Sequence, residues 1–263
     1  MLAVDTIPLD ETMNAEKYRR AALRVIEEIH SRGKLAIVVG GSGLYIKALT
    51  HGLAPLPEPD PRVREKLNAM SLDGLHAKLI ELDPQTARTI DVKNRRRVLR
   101  ALELCMVTGK PASGQREQWA VPKRGDLGSV GDARPRSMPP DTGIFVFRDR
   151  EELYSRINRR VEAMFENGVI EEVKSAGPVS PTASQMIGFR EIRQLLNGEM
   201  SICQCIAAIQ QATRRYAKRQ LTWFKRQTNF SALNLSLLTH NEAKVVLRTL
   251  LARPMVSGVR GKE

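Results

Sequence analysis

Leu35-Ala36-Ile37-Val38-Val39-Gly40-Gly41-Ser42-Gly43-Leu44-Tyr45-Ile46-Lys47-Ala48-Leu49 joins a continuous apolar run to a second apolar stretch through four small residues. The first run is rich in β-branched side chains and short, which predicts a strand buried on both faces over 35–39. Gly40 to Gly43 predicts a turn, and Leu44 to Leu49 a helix. Upstream, Asn14 is placed to cap a helix carrying Tyr18, Leu23, Ile26 and Ile29, which Gly33 ends. Helix, strand, turn and helix in succession predict an α/β fold with a parallel sheet. Open sheets of that kind bind ligands where their strands end, and glycines there let a phosphate approach the backbone. A bare tight turn accounts for the same residues equally well. The turn is not a dinucleotide fingerprint, because Ile46 stands where G-x-G-x-x-G needs its last glycine.

Residues 54–61 contain four prolines and predict a hinge leaving the sheet. Beyond it Asp60-Pro61, Ser71, Asp83-Pro84 and Asp91 are successive helix-start signals, the last opening a helix through Val98, Leu102 and Cys105 that Gly109 closes. From about Gly114 to Gly143 no periodicity survives. Ile144 to Phe147 predicts a second buried strand, and Asp149 a cap for a helix with Leu153, Ile157, Val161 and Met164 inward, ending at Gly168. The expected organisation is an α/β core from 1–54 and 143–263, a mainly helical insertion at 55–113, and an irregular exposed loop at 114–142. Two strands are too few for a free-standing doubly wound domain.

Charge directs attention to Thr213–Arg226, T-R-R-Y-A-K-R-Q-L-T-W-F-K-R. It holds six basic side chains and three aromatics, and no Asp or Glu occurs between Met200 and His240. At ~100° per residue the predicted helix puts Arg214, Lys218 and Lys225 on one stripe, beside Arg215, Arg219 and Arg226. Ile202, Ile206, Ile209, Tyr216, Trp223 and Phe224 gather opposite. An ordinary solvated helix interleaves both signs to gain i,i+4 pairs; this one presents an uninterrupted positive face, the footprint of a polyanion site. The net charge of +13 over 263 residues agrees with a nucleic-acid partner, and a membrane surface or an acidic protein would fit it too. No apolar run reaches the ~18 residues of a membrane span, and the acidic first residues exclude a signal peptide. Cys105, Cys203 and Cys205 lack a C-x-x-C spacing and the four histidines are scattered, so no protein-ligated structural zinc is expected, and a reducing cytoplasm fits best.

Further basic positions cluster. Arg156 and Arg160, four apart on the helix after the second strand, share a face suited to bidentate binding of phosphate oxygens, and a plain surface role accounts for them equally well. Arg95, Arg96, Arg97 and Arg100 crowd a helix start, where cations oppose the macrodipole unless an anion relieves them. Gly188, Phe189 and Arg190 place an aromatic and a guanidinium in one loop, a pairing that holds single-stranded or flipped bases but that core packing also explains.

Six collinear segments together resemble one family, the bacterial tRNA dimethylallyltransferases. They are V-V-G-G-S-G-L-Y-I-K-A-L (Val38–Leu49), L-P-E-P-D-P-R-V-R (Leu56–Arg64), R-R-V-L-R-A-L-E-L (Arg96–Leu104), R-I-N-R-R-V-E-A-M (Arg156–Met164), I-G-F-R-E-I (Ile187–Ile192) and T-R-R-Y-A-K-R-Q-L-T-W-F-K (Thr213–Lys225). The resemblance implies a P-loop NTPase-like parallel sheet with a helical insertion that clasps tRNA. It implies transfer of a dimethylallyl group from dimethylallyl diphosphate to N6 of the adenosine 3′ of the anticodon, with Mg²⁺, by a monomer. Carried over residue by residue, Arg160 is the expected catalytic contributor, and with Arg156 the diphosphate site. Expected tRNA contacts are Ser42 (where the family usually has threonine), Arg64, Arg96, Arg97, Arg100, Gly188, Phe189, Arg190, Arg215, Lys218, Arg219, Gln220, Trp223 and Lys225. The family's phosphate loop, G-x-x-x-x-G-K-[ST], has no counterpart here, because the three Gly-Lys pairs are followed by Leu, Pro and Glu. Asp5 and Asp10 fall too late in the pattern to serve as its general base. The first strand is expected to be missing with them, so that the chain reads as N-terminally truncated, binding tRNA with little or no transfer. The alternatives are a non-catalytic tRNA-binding remnant and a P-loop nucleotide kinase relative, for which the basic helix has no task.

Overall fold

The computed structural model describes residues 6–53, 56–57, 60–115, 143–228 and 230–251. The chain divides into two compact units, one made of 1–51 with 134–263 and the other of 52–133. Most of the expected loop at 114–142 lies outside the described residues, as do Asp5 and part of the proline segment.

Helix α1 (Ala15–Ser31) starts where Asn14 accepts a hydrogen bond from the Lys17 amide at 2.9 Å. It packs on α2 (Gly43–His51), with Tyr18 and Tyr45 stacked 4.6 Å apart. Between the two helices the strand predicted over 35–39 does not form. Leu35 and Ile37 are each 62% exposed and Val39 is 89% exposed, and the segment carries no strand pairing among the described residues. The pattern supplies strand propensity, but a strand also needs a neighbouring backbone for its N–H and C=O groups.

The second unit is helical: α3 (Pro61–Asn68), α4 (Leu72–Leu82), α5 (Pro84–Thr89), α6 (Arg95–Thr108) and α7 (Ala112–Gln115). The predicted caps Asp60, Ser71 and Asp83 each accept from the first turn of their helix. Asp83 also takes the Ser113 amide at 2.7 Å. For α6 the cap is Asn94, not Asp91, whose carboxylate instead accepts from Lys93 in the preceding turn. Gly109 ends α6 at φ +65°, a left-handed conformation that costs other residues a steric penalty. Leu67, Leu75, Leu79, Val98 and Leu102 are essentially inaccessible to solvent and form this unit's core. Truncating any one of these leucines to alanine would cost about 2–5 kcal/mol.

The first unit resumes with β1 (Ile144–Phe147), the predicted second strand. It pairs in parallel with β2 (Ser231–Asn234), Ile144 facing Ser231 and Phe147 facing Asn234. The sequence S-A-L-N hides β2, since it has neither alternation nor β-branched residues. Between them run α8 (Arg150–Glu166), α9 (Val169–Ser175), α10 (Phe189–Leu196) and α11 (Ile202–Gln227), and α12 (His240–Leu251) follows. Asp149 precedes α8 as expected, but its carboxylate accepts from Asn234 at 2.9 Å rather than capping the helix, tying the ends of the two strands together. Val161, Val173, Ile192, Cys205 and Ile209 form a core shared by α8 to α11. Phe224, near the end of α11, stacks on Phe145 at 5.1 Å and so joins that helix to the sheet. The fold is thus α/β, mostly helical, with a small parallel sheet. No helix among the described residues is long and apolar enough to cross a membrane.

Candidate nucleic-acid interface

Helix α11 organises the basic residues of the first unit. Ser201 caps it through the Gln204 amide, and a 26-residue length follows from an interior without Gly or Pro. Ile209 and Phe224 face inward, as predicted, with 2% and 6% exposure, and Trp223 is half-buried. Ile202 and Tyr216, predicted inward, are exposed at 51% and 38%. Tyr216 lies among the charges instead, with the Arg219 guanidinium 5.8 Å from its ring centre. Arg215, Lys218, Arg219, Lys225 and Arg226 are exposed. Arg214 is only half so: its guanidinium donates to the Gln210 carbonyl and lies over Tyr154. The Lys225 ammonium lies 5.5 Å from the Phe147 ring centre.

An adjoining stripe of α11 grips the glycine turn. Gln220 donates from its side-chain amide to the Gly41 carbonyl at 2.8 Å. A Cβ on Gly41 would fall 2.1 Å from that nitrogen, and a Cβ on Gly43 would fall 2.3 Å from the Trp223 ring. Gln220 and Trp223, expected with the RNA contacts, are therefore engaged with the turn. Ser42 sits between them, half-buried, its carbonyl accepting from the Ile46 amide at the start of α2.

Arg156 and Arg160 share the exposed side of α8 and line an open groove with Leu153, Ile157 and Arg159. The sequence reading missed Arg159; its position beside Arg160 was the available signal. Arg156 stands 3.7 Å from Glu152, four residues back. No ion pair is made by Arg159 or Arg160 among the described residues. Glu152 is held below the ordinary carboxylate range by the Ser236 hydroxyl and by Arg148 and Arg156. The groove therefore has an aliphatic floor and a cationic rim.

The segment Met186–Glu191, expected as a loop, enters the first turn of α10 at Phe189 and is built around a buried carboxylate. Gly188, at φ +99°, donates its amide to Glu191, and Arg190 donates to the other oxygen at 2.6 Å. Burial raises the Glu191 pKa, but the Gly188 amide and Arg190 outweigh it, and the net shift is downward. Phe189 is half-buried against the core of α8 to α11 and carries Arg193 over its ring at 5.3 Å. Its ring packs rather than offering an open face. Met186, Ile187 and Arg190 are the exposed members of the segment.

In the second unit the crowded arginines separate into two kinds. Arg95 donates to the carbonyls of Asn68 and Met70, both at 2.8 Å, and to Leu67, closing the C-terminal end of α3. Arg64 pairs through two nitrogens with Glu103, whose side chain has no exposed surface, and Arg100 reaches the same carboxylate and the Pro57 carbonyl. The anion expected to relieve this helix start is in part Glu103 itself. Arg96 and Arg97 remain exposed.

The family profile described as IPP transferase matches residues 2–227. The chain belongs to that family. A tRNA dimethylallyltransferase of Akkermansia muciniphila is 42% identical over 224 residues, spanning 85% of this chain and 71% of the relative. One from Geobacter sulfurreducens is 42% identical over 234 residues, with 84% and 70% covered. Among solved structures, the tRNA isopentenylpyrophosphate transferase of Bacillus halodurans superposes with a TM-score of 0.60 at 30% identity, covering 94% of this chain and 76% of that one. A eukaryotic dimethylallyltransferase acting on tRNA shares the fold, with a TM-score of 0.67 at 24% identity over 93% and 62% of the two chains. In this IPP transferase family member the basic helix and the glycine turn both fall within the matched span.

Proposed function

We propose that this chain is a tRNA-modifying protein that holds an anticodon arm for prenyl transfer to N6 of the adenosine next to the anticodon. The observation carrying this reading is the exposed, acid-free face of Arg215, Lys218 and Arg219 on one helix. Such a face neutralises phosphates and releases their counterions on binding. Arg96 and Arg97 of the second unit, and Lys225 of the first, are exposed and offer charge of the same kind. Ser42 offers a hydroxyl and Arg190 a guanidinium toward unpaired bases, where base edges and stacking faces are open. Gly188 and Phe189 shape that loop.

The α8 groove suits dimethylallyl diphosphate: Leu153 and Ile157 for the five-carbon tail, Arg156 and Arg160 for the diphosphate. In the transfer the adenosine N6 forms a bond to the allylic carbon, the carbon–oxygen bond to diphosphate breaks, and N6 releases a proton. Arg160, with Arg156, offsets the charge gathering on the leaving group. Among the described residues there is no group of three His, Cys, Asp or Glu side chains arranged to bind a metal, and no residue is assigned to the Mg²⁺ that the resemblance implies. No step is assigned through it. The motif G-x-x-x-x-G-K-[ST] does not occur in the 263 residues, and our reading is that transfer by these residues acting alone is slight.

The test is fluorescence anisotropy of a labelled anticodon stem–loop over a salt series. Binding that weakens steeply with salt supports the reading, and equal affinity for a neutral polymer overturns it. Mass spectrometry of tRNA incubated with dimethylallyl diphosphate and Mg²⁺ addresses turnover separately: abundant N6-prenyl adenosine would refute the expectation of slight transfer.

A further inference from the structure

We infer that Gln220 and Trp223 are positioning residues that hold Ser42 in place from the helix carrying the RNA-binding charge. The inference deepens the tRNA reading and rests on it for its functional consequence. Lying three residues apart, the two side chains occupy one stripe of α11, and they hold the turn from both sides of Ser42. On one side Gln220 donates to the Gly41 carbonyl at 2.8 Å; on the other the Trp223 ring occupies the space where a Cβ of Gly43 would stand. Neither glycine accepts a methyl group without displacing the α11 residue against it.

The segment leading into the turn supplies no comparable restraint. Residues 35–39 carry no strand pairing among the described residues and lie largely in solvent. What fixes the turn is α2 on its far side and α11 beneath it. Arg219 adjoins Gln220 in sequence but is exposed, so one helix both presents charge to solvent and braces the turn that carries Ser42. A phosphate backbone docked on the outer face is then registered to the turn by a single rigid element, with no loop between charge and hydroxyl. Positioning accuracy of this kind governs whether a contact far from the charges is made.

A double-mutant cycle decides the matter, using the whole chain and a labelled anticodon stem–loop RNA. Ser42→Ala and Gln220→Met are each expected to weaken binding by about fivefold, the value of one hydrogen bond, with the salt slope unchanged. The double variant is expected to bind no worse than the weaker single one, because a displaced serine has no contact left to lose. Multiplying losses would make Gln220 an independent RNA contact and overturn the inference, as would wild-type binding by Gln220→Met. A second readout does not depend on RNA. In a Trp119→Phe background Trp223 is the only tryptophan, and Gln220→Met or Gly41→Ala should shift its emission to the red. If Arg215→Ala and Arg219→Ala leave RNA binding untouched, the tRNA reading fails instead. The clamp is then judged on Trp223 alone: a red shift sustains it, and unchanged emission in both variants refutes it.

Discussion

Arg95 and Arg100 at the start of α6 turn inward, one to the carbonyls that end α3 and the other to Glu103 and Pro57. Arg159 and Arg160 on α8, and Arg215 and Arg219 on α11, turn outward and make no ion pair among the described residues. The side chain is the same and the local sequences are equally basic. What differs is the anion supplied by the fold: Glu103 lies fully inside the second unit, whereas α11 has no acid along its whole length. An arginine cluster near a buried carboxylate consolidates packing; one without it presents a field to solvent. The comparison separates stability from binding, and each can be perturbed alone.

The largest effect is expected from Glu103→Gln. Losing the charge leaves Arg64 and Arg100 without their shared partner. Breaking a buried pair costs about 3–5 kcal/mol, and roughly 2–3 kcal/mol is expected here because both arginines are partly exposed. Urea unfolding should show a lower midpoint for the second unit. A change below about 0.5 kcal/mol, the scale of an ordinary surface substitution, would mean the cluster is not structural.

On α11 the reverse is expected. Arg215→Ala combined with Arg219→Ala should leave the unfolding midpoint nearly unchanged. It should weaken anticodon stem–loop binding and flatten the dependence of log K on log salt by about 2, one unit per phosphate contact. An unaltered slope would remove the basic face from the interface. On α8, Arg160→Ala should weaken binding of inorganic pyrophosphate by about tenfold, while leaving RNA affinity in place. Equal losses for both ligands would make Arg160 a structural residue.

These contrasts show where the sequence was legible. The caps Asn14, Asp60, Ser71 and Asp83 depend on neighbours within a few residues and appear where expected, as does the inward placement of Ile209 and Phe224; the strand Ile144–Phe147 also appears, because β2 supplies it with a partner backbone. The run at 35–39 failed because strand formation depends on another backbone, which no local pattern reports. Arg64 and Glu103 lie 39 residues apart, and Gln220 and Gly41 lie 179 apart. No periodicity connects such pairs, so neither the ion pair that engages Arg64 nor the hydrogen bond that engages Gln220 was legible in the sequence. Tyr216 was misplaced for a smaller reason: an aromatic at a stripe's margin packs or not according to what the neighbouring element leaves open.

Arg190 tests the comparison from inside, since it belongs to the first unit yet pairs with a buried acid. Glu191 is 3% exposed and accepts from the Gly188 amide and from Arg190, which hold its pKa down despite burial. A carboxyl with a depressed folded pKa stabilises the native state above its unfolded pKa, and that contribution disappears as pH falls through the folded value. Glu191→Gln should therefore be less stable than wild type at neutral pH by about 1 kcal/mol. The gap should narrow through the acidic carboxylate range and close below it. Thermal unfolding across a pH series measures this directly. A gap constant with pH would show that the amide's shape, not the lost charge, causes the deficit, and Arg190 would then join the outward-facing arginines. A gap that closes on acidification places Arg190 with Arg64 and Arg100, as a guanidinium whose first task is to hold its own loop.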